Sequence, residues 1–180
     1  MVYMLLGNGF EESEAIVPLD LMRRAGIQVL TVGVNGKVIT GGHNIAVKAD
    51  IELGQMDLTD MDMIVLPGGL GGVASVRASK QAMNALSFAY ENDRYVAAIC
   101  AGPTVLADLG ITDGKKTTCY PGCESSMGNA LCQEDQAWVQ DGCVITGTSA
   151  GCATKFGLAL IAALKGEEAA QAVKQQIVIR

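Results

Sequence analysis

The chain has 180 residues, of which 49% are hydrophobic and only 4% are aromatic. This length suits a single domain, residues 1–180, with an aliphatic core completed by methionine and cysteine. The formal net charge of −6 argues against nucleic acid or an anionic membrane as a partner.

The N-terminal sequence "MVYMLLGNGFEESE" is a short apolar run followed by acidic residues. It lacks the basic start, the long apolar stretch and the cleavage site of a secretory signal. The apolar runs of the chain are also shorter than the ~20 residues that cross a bilayer. We therefore expect a cytoplasmic protein with no membrane partner.

Strands are predicted where short apolar runs stop at glycine or proline, and helices where apolar residues recur at helical spacing. In chain order the predicted elements are strand Val2–Leu6, helix Ser13–Ala25, strand Ile27–Val34, strand Met63–Leu66, helix Val76–Tyr90, strand Tyr95–Ile99, helix Pro103–Leu109, helix Lys155–Leu164 and helix Glu167–Ile177.

Three further segments carry hairpin signals. Asn35-Gly36 is a strong signal for a two-residue hairpin turn. Val38–Thr40 and Ile45–Val47 flank Gly41-Gly42 and predict an antiparallel pair. A last hairpin is predicted from Trp138 to Thr146, turning at Asp141-Gly142.

Strands that alternate with helices, and that are apolar on both faces, predict an α/β fold with a mostly parallel sheet covered on both sides. Ligands of such sheets bind outside the carboxyl ends of the strands. Three segments meet there in this chain: Gly7–Glu14, Pro67–Gly72 and Cys100–Pro103. Their convergence is the main functional signal in the sequence.

Cys100 stands between a predicted strand and a predicted helix, in "VAAICAGPTVLADLGI". This is the arrangement of a nucleophile elbow, in which a strained turn presents the side chain above the sheet. We expect a positive φ at Cys100, and a thiol pKa lowered by the amides of the helix N-terminus. The alternative is a buried structural cysteine at a strand end.

Two neighbouring segments favour the functional interpretation of Cys100. Pro67-Gly68-Gly69 leaves backbone N–H groups that can bind an oxyanion, although a plain strand-terminating turn has the same sequence. Glu14 can reach inward beside the cysteine, where burial would raise its pKa and let it donate to sulfur. Glu11 and Glu12 are explained equally well by a helix N-terminus.

The six cysteines include no Cys-x-x-Cys, and His43 is the only histidine. Most of the thiols are expected to be reduced and buried. A metal site at Cys119, Cys123 and Cys132 is a minor alternative, because the spacing of these residues matches no standard zinc knuckle. We expect no metal.

The motifs "GFEESEAIVPLDLMRRAGIQV", "DMIVLPGG" and "AAICAGPTVLADLGI" resemble, in order and spacing, the ThiJ/PfpI superfamily. They are most similar to its branch of small dimeric stress proteins and deglycases, which includes the Parkinson-disease protein. The resemblance implies a flavodoxin-like three-layer α/β sandwich and a homodimer. It also implies a nucleophilic, oxidation-prone Cys100 with Glu14 as its acidic partner, and an oxyanion site at the amides of Gly69 and Ala101, with Gly68 beside them.

The chain departs from the family pattern at several positions. Ala101 stands where PfpI-type proteases have a histidine, so we expect no peptidase activity. A family T-T-H-P segment reads "TTCYP" here, which places Cys119 or Tyr120 at the histidine position. Two anion-binding arginines of the family align with His43 and near Thr148. These residues are therefore candidate pocket residues, although a solvated loop explains His43 equally well.

Two interpretations of Cys119 follow: a resolving thiol for oxidised Cys100, or plain filler of the pocket wall. Three functions remain open. The first is a cofactor-free enzyme acting on a small reactive carbonyl or its adduct. The second is a redox sensor or chaperone acting through Cys100 oxidation. The third is the old family label of thiazole monophosphate biosynthesis, for which no residue offers a phosphate site.

Overall fold

The computed structural model describes residues 1–179. It contains eleven strands and six α-helices, together with four short 3₁₀ turns. In chain order these are β1 Val2–Leu6, α1 Glu12–Arg24, β2 Val29–Gly33, β3 Val38–Thr40, β4 Ala46–Lys48, β5 Ile51–Glu52, β6 Met63–Leu66, α2 Leu70–Ala78, α3 Lys80–Glu91, β7 Tyr95–Ile99, α4 Pro103–Asp108, β8 Lys116–Thr117, β9 Leu131–Cys132, β10 Trp138–Asp141, β11 Val144–Gly147, α5 Ala153–Lys165 and α6 Glu167–Gln176.

The main sheet has seven strands in the order β10-β11-β7-β6-β1-β2-β5. All neighbours are parallel except the edge hairpin of β10 and β11. After β1 the chain adds β2 on one side and later β6 and β7 on the other. The direction of strand addition therefore reverses between β1 and β6, and such a point is where open α/β sheets bind ligands.

The sheet divides two hydrophobic cores. One lies under α1, α5 and α6, with Phe156 and Met22 fully buried. The other lies under α2, α3 and α4, with Leu86 and Val105 fully buried. Every residue of β1 and β6 is buried, as apolar strands covered on both faces require. The predicted flavodoxin-like three-layer α/β sandwich is confirmed.

Two sequence predictions about elements are wrong. Asn35-Gly36 does not join a hairpin, because both edges of β2 are occupied by β1 and β5. Strand β3 pairs instead with β4 around Gly41-Gly42, as the second hairpin signal predicted. The predicted helix Val76–Tyr90 is two helices, since Ser79 leaves the helical conformation and caps α3 by accepting the Ala82 N–H.

The hairpin of β10 and β11 and the break between α5 and α6 are as predicted. Gly166 separates the two helices with φ of 86°. The short strands β5, β8 and β9 carried no signal that distinguished them from loops. Within residues 1–179, no helix is both long enough and apolar enough to cross a membrane.

Candidate active site

Cys100 occupies the sharp turn between β7 and α4. Its φ is 65°, in the left-handed region that costs a residue other than glycine ~1–3 kcal/mol. The turn is held from both sides, because the Cys100 N–H donates to the Gly147 carbonyl and the Cys100 carbonyl accepts the Tyr120 N–H, each at 2.9 Å. The predicted positive φ is confirmed, and the neighbouring segments hold the strained backbone in place.

Glu14 lies in the first turn of α1 and is 1% exposed. Its Oε2 accepts the Gly68 N–H at 2.9 Å, while its buried Oε1 has no hydrogen-bond partner among residues 1–179. The neighbouring Cys100 thiol and the Gly68 amide both favour the ionised form of the carboxyl group. Burial raises the pKa of Glu14 above its ordinary value, because a carboxylate is poorly stabilised away from water.

The thiol of Cys100 does not have the lowered pKa that its place before a helix suggests. Burial, then the charge of Glu14 and the hydrogen bond to Glu14, raise the pKa of Cys100 to about 12. The Ala101 and Gly69 amides act in the opposite direction and are outweighed. Ionised Glu14 thus opposes ionisation of the Cys100 thiol, whereas the neutral thiol favours ionisation of Glu14.

The Pro67-Gly68-Gly69 segment brings bare backbone against the pair. A Cβ on Gly68 would lie 2.5 Å from Glu14 Oε2 and 2.7 Å from Cys100 Cβ, closer than any side chain tolerates. The Gly68 amide is committed to Glu14, so the expectation that it belongs to the oxyanion site is wrong. The amides of Gly69 and Ala101 face the sulfur.

A cavity of about 580 Å³ opens above the sulfur of Cys100. Its wall joins the carboxyl ends of the central strands to the segments that follow β11 and β8. The lining residues are Glu11, Glu14, Gly69, Leu70, Cys100, Ala101, Tyr120, Cys123, Ser149, Ala150 and Gly151.

Six of these lining residues, from four separate segments, were not among the candidate site residues of the sequence: Glu11, Leu70, Cys123, Ser149, Ala150 and Gly151. The strand-end rule already applied to β1, β6 and β7 could have found the last three, since they follow β11. Leu70 is 82% exposed at the mouth of the cavity, where an apolar substituent of a ligand can contact it.

Of the four candidate pocket residues, Tyr120 alone lines this cavity. Cys119 faces a separate cavity, so its candidate place in the Cys100 pocket is wrong, and this geometry does not support a role as resolving thiol for Cys100. Thr148 is also absent from the wall, because its hydroxyl bonds the Thr118 hydroxyl and the Gln136 carbonyl.

His43 is 69% exposed and pairs with the acids of the α1 N-terminus rather than with the thiol. Its Nδ1 lies 2.8 Å from Glu12 Oε2 and 3.5 Å from Glu11 Oε2. The hydrogen bond to Glu12, followed by the negative charges of Glu11 and Glu12, raises the pKa of His43. Within residues 1–179, these three side chains are the one group close enough to hold a metal. Cys119, Cys123 and Cys132 do not assemble in this way.

The chain is similar to known proteins over most of its length. The sequence model of the DJ-1/PfpI family matches residues 1–163. Protein dj-1beta of Drosophila melanogaster is 35% identical over 178 residues, covering 98% of this chain and 95% of the relative. A deglycase of Pyrococcus horikoshii is 32% identical over 146 residues, covering 81% of this chain and 85% of the deglycase.

Solved structures give the same result. The crystal structure of Drosophila melanogaster DJ-1beta superposes with a TM-score of 0.95 at 35% identity, covering 99% of this chain and 97% of that one. A DJ-1 superfamily protein from Salmonella typhimurium, solved as a cysteine-to-alanine mutant, superposes with a TM-score of 0.93 at 28% identity, covering 99% of this chain and 98% of that one. The chain belongs to the DJ-1/PfpI family.

Proposed function

We propose that the chain is a cofactor-free enzyme in which Cys100 attacks a small reactive carbonyl, such as methylglyoxal or its adduct on an amine or thiol. The observation that carries this proposal is the buried Glu14 carboxyl group beside the Cys100 thiol, at the floor of an open cavity. A nucleophile with an adjacent proton acceptor is the arrangement that covalent catalysis needs. A relative from Pyrococcus horikoshii that is named a deglycase supports the same class of substrate.

In the proposed first step, the sulfur of Cys100 bonds to the aldehyde carbon while the thiol proton passes to ionised Glu14. Coupling the two events avoids forming a free thiolate, which the raised pKa of Cys100 disfavours. The amides of Gly69 and Ala101, which face the sulfur, are placed to stabilise the new oxyanion. Protonation of that oxyanion gives a hemithioacetal.

The second stage converts the hemithioacetal of methylglyoxal into a thioester without an external oxidant. Glu14 removes the proton from the former aldehyde carbon and returns a proton to the former ketone carbon, so one carbon is oxidised and the other is reduced. Water then cleaves the thioester, which releases lactate and restores the thiol. The overall change is the addition of one water to methylglyoxal.

The chain lacks a histidine within this cavity, since His43 pairs with Glu12 instead. Glu14 alone must therefore serve every proton transfer, and we expect slow turnover. Peptide hydrolysis needs a group that protonates a leaving amine, usually histidine. Ala101 follows the nucleophile, so peptidase activity is expected to be absent.

The proposal is tested by measuring lactate formed from methylglyoxal by the wild-type protein, Cys100→Ser, Glu14→Gln and Cys152→Ser. Cys152 does not line the cavity and serves as the matched control. We expect activity in wild type and Cys152→Ser and its loss in the other two variants. Equal lactate production by wild type and Cys100→Ser would contradict the proposal.

The rival function is a redox sensor without turnover. It predicts that Cys100 accumulates sulfinic acid under peroxide while methylglyoxal is left unchanged. The relative from Pyrococcus horikoshii that is named a deglycase supports the carbonyl enzyme over the sensor.

We further propose a homodimer in the cytoplasm. The exposed apolar residues Ile16 on α1 and Ile45 beside the β3–β4 hairpin support a protein contact on this side, and six free cysteines suit a reducing compartment. Light scattering at micromolar concentration should report twice the mass of one chain. A value of one chain mass would exclude the dimer.

A further inference from the structure

Two thiols outside the Cys100 site lie together in a cavity of their own. Cys119 and Cys132 both line this cavity, which measures about 240 Å³. Strands β8 and β9 pair in parallel with Thr117 opposite Cys132, and Thr117 Oγ1 lies 4.0 Å from Cys132 Sγ. Cys119 follows Thr117 by two residues, a spacing that returns a side chain to the same face of an extended chain.

The two thiols are close enough to influence each other. Burial raises the pKa of Cys119 to about 12, and the neighbouring Cys132 thiol acts in the same direction. Both cysteines are free. Cys119 is 5% exposed, whereas Cys132 is partly exposed.

The surroundings of the pair are polar rather than those of a hydrophobic core. Thr118, Gln133, Glu124, Glu134 and Asp135 contribute to the cavity wall. An open polar cavity admits a small polar oxidant, and the more exposed sulfur of Cys132 is met first.

We propose that Cys119 and Cys132 form a second redox site, independent of Cys100, at which a hydroperoxide converts the two thiols into an intramolecular disulfide. Cys132 sulfur attacks one peroxide oxygen, the O–O bond breaks, and the other oxygen leaves as water or an alcohol after taking the thiol proton. Cys132 is then a sulfenic acid.

Cys119 completes the reaction. Its sulfur attacks the Cys132 sulfur, the S–O bond breaks, and the hydroxyl group leaves as water with the Cys119 proton. Two thiols lose two electrons and the peroxide gains them. A disulfide needs Cα atoms within ~7 Å. The offset of two residues across neighbouring strands places these two Cα atoms ~7–8 Å apart. Because Cys119 lies beyond the end of β8, its backbone can make the shift of about 1 Å that the bond requires.

The test is disulfide mapping after hydrogen peroxide treatment and alkylation of the remaining thiols. Trypsin alone leaves Cys119, Cys123, Cys132, Cys143 and Cys152 on one peptide, 117–155. Added cleavage at glutamate yields the peptides 117–124 and 125–134, which separate Cys119 from Cys132. Wild type is compared with Cys100→Ser/Cys123→Ser, a background that removes both thiols of the other cavity.

In both proteins we expect 117–124 linked to 125–134, two hydrogen masses below the sum of the free peptides. Adding Cys132→Ser to the background should abolish the link, and adding Cys143→Ser should leave it unchanged. The proposal is overturned if both cysteines remain alkylatable at a peroxide dose that oxidises wild-type Cys100. It is also overturned if the link disappears in the Cys100→Ser/Cys123→Ser background. In the wild-type map, fragmentation of the linked peptide 117–124 shows whether Cys119 or Cys123 carries the bond, and this decides the question even where a variant fails to fold; a link carried by Cys123 overturns the proposal.

Discussion

Replacing Glu14 with glutamine removes the negative charge beside Cys100 while keeping the shape of the side chain. The glutamine carbonyl can still accept the Gly68 N–H that Glu14 Oε2 accepts at 2.9 Å. Burial, then the charge of Glu14, moves the pKa of Cys100 from the ordinary value of 9.0 to about 12. The variant retains the burial and loses the charge, so its thiol should ionise at lower pH than the wild-type thiol.

The size of the change follows from the contributions to that pKa. The full displacement corresponds to roughly 4 kcal/mol against the thiolate, of which burial is the largest part. Removing the remainder should lower the pKa of Cys100 by about 1 to 2 pH units, so that at about pH 10 the thiolate population rises about ten- to fiftyfold.

Alkylation by iodoacetamide, followed at the tryptic peptide 95–115, measures this directly because Cys100 is its only cysteine. Glu11→Gln is the matched control: Glu11 lines the same cavity but is not among the groups that shift the pKa of Cys100. Its profile should follow wild type. Identical alkylation profiles for Glu14→Gln and wild type would refute the contact between Glu14 and the thiol.

Two further predictions test the support of the site. Gly68→Ala places a Cβ 2.5 Å from Glu14 Oε2 and 2.7 Å from Cys100 Cβ, so we expect the free energy of unfolding to fall by ~1–3 kcal/mol and lactate formation to be lost. Gly54→Ala is the control, because open space surrounds its Cβ, and it should change neither the stability nor the activity. Pairing with Glu12 raises the pKa of His43 in the folded protein. The pairing therefore stabilises the fold fully below about pH 6.5, and this stabilisation is lost as the pH rises through the raised pKa of His43. Urea unfolding of wild type and His43→Gln should therefore differ at about pH 5.5 and converge at about pH 9, and an equal difference at both would contradict the pairing.

The architecture could be read from the sequence because its central strands are apolar on both faces and end in glycine, proline or cysteine. The break between α2 and α3 at Ser79 could not, since the helical pattern of the sequence continues across it and only the Ser79 side-chain cap reveals it. The hairpin predicted at Asn35-Gly36 was wrong for a different reason. Turn chemistry is local, whereas the pairing of β2 depends on which distant strands already occupy its edges.

Within the site, the sequence located the elbow cysteine but not every group around it. Cys119 and Cys123 sit in one short segment, yet a turn closed by the Cys123 N–H on the Tyr120 carbonyl at 2.9 Å directs them to different cavities. Gly122 enables this turn with φ of 95°. The direction of the thiol pKa was also beyond sequence reasoning, because it depends on the balance between burial, Glu14 and two amides.

The central claim is that Cys100 turns over rather than reacting once. The most direct measurement is the number of lactate molecules formed per chain from methylglyoxal under anaerobic conditions, with the state of Cys100 read from peptide 95–115 in the same sample. The account predicts many lactate molecules per chain and an unmodified Cys100 thiol at the end. At most one lactate per chain, with Cys100 left permanently modified, would contradict it.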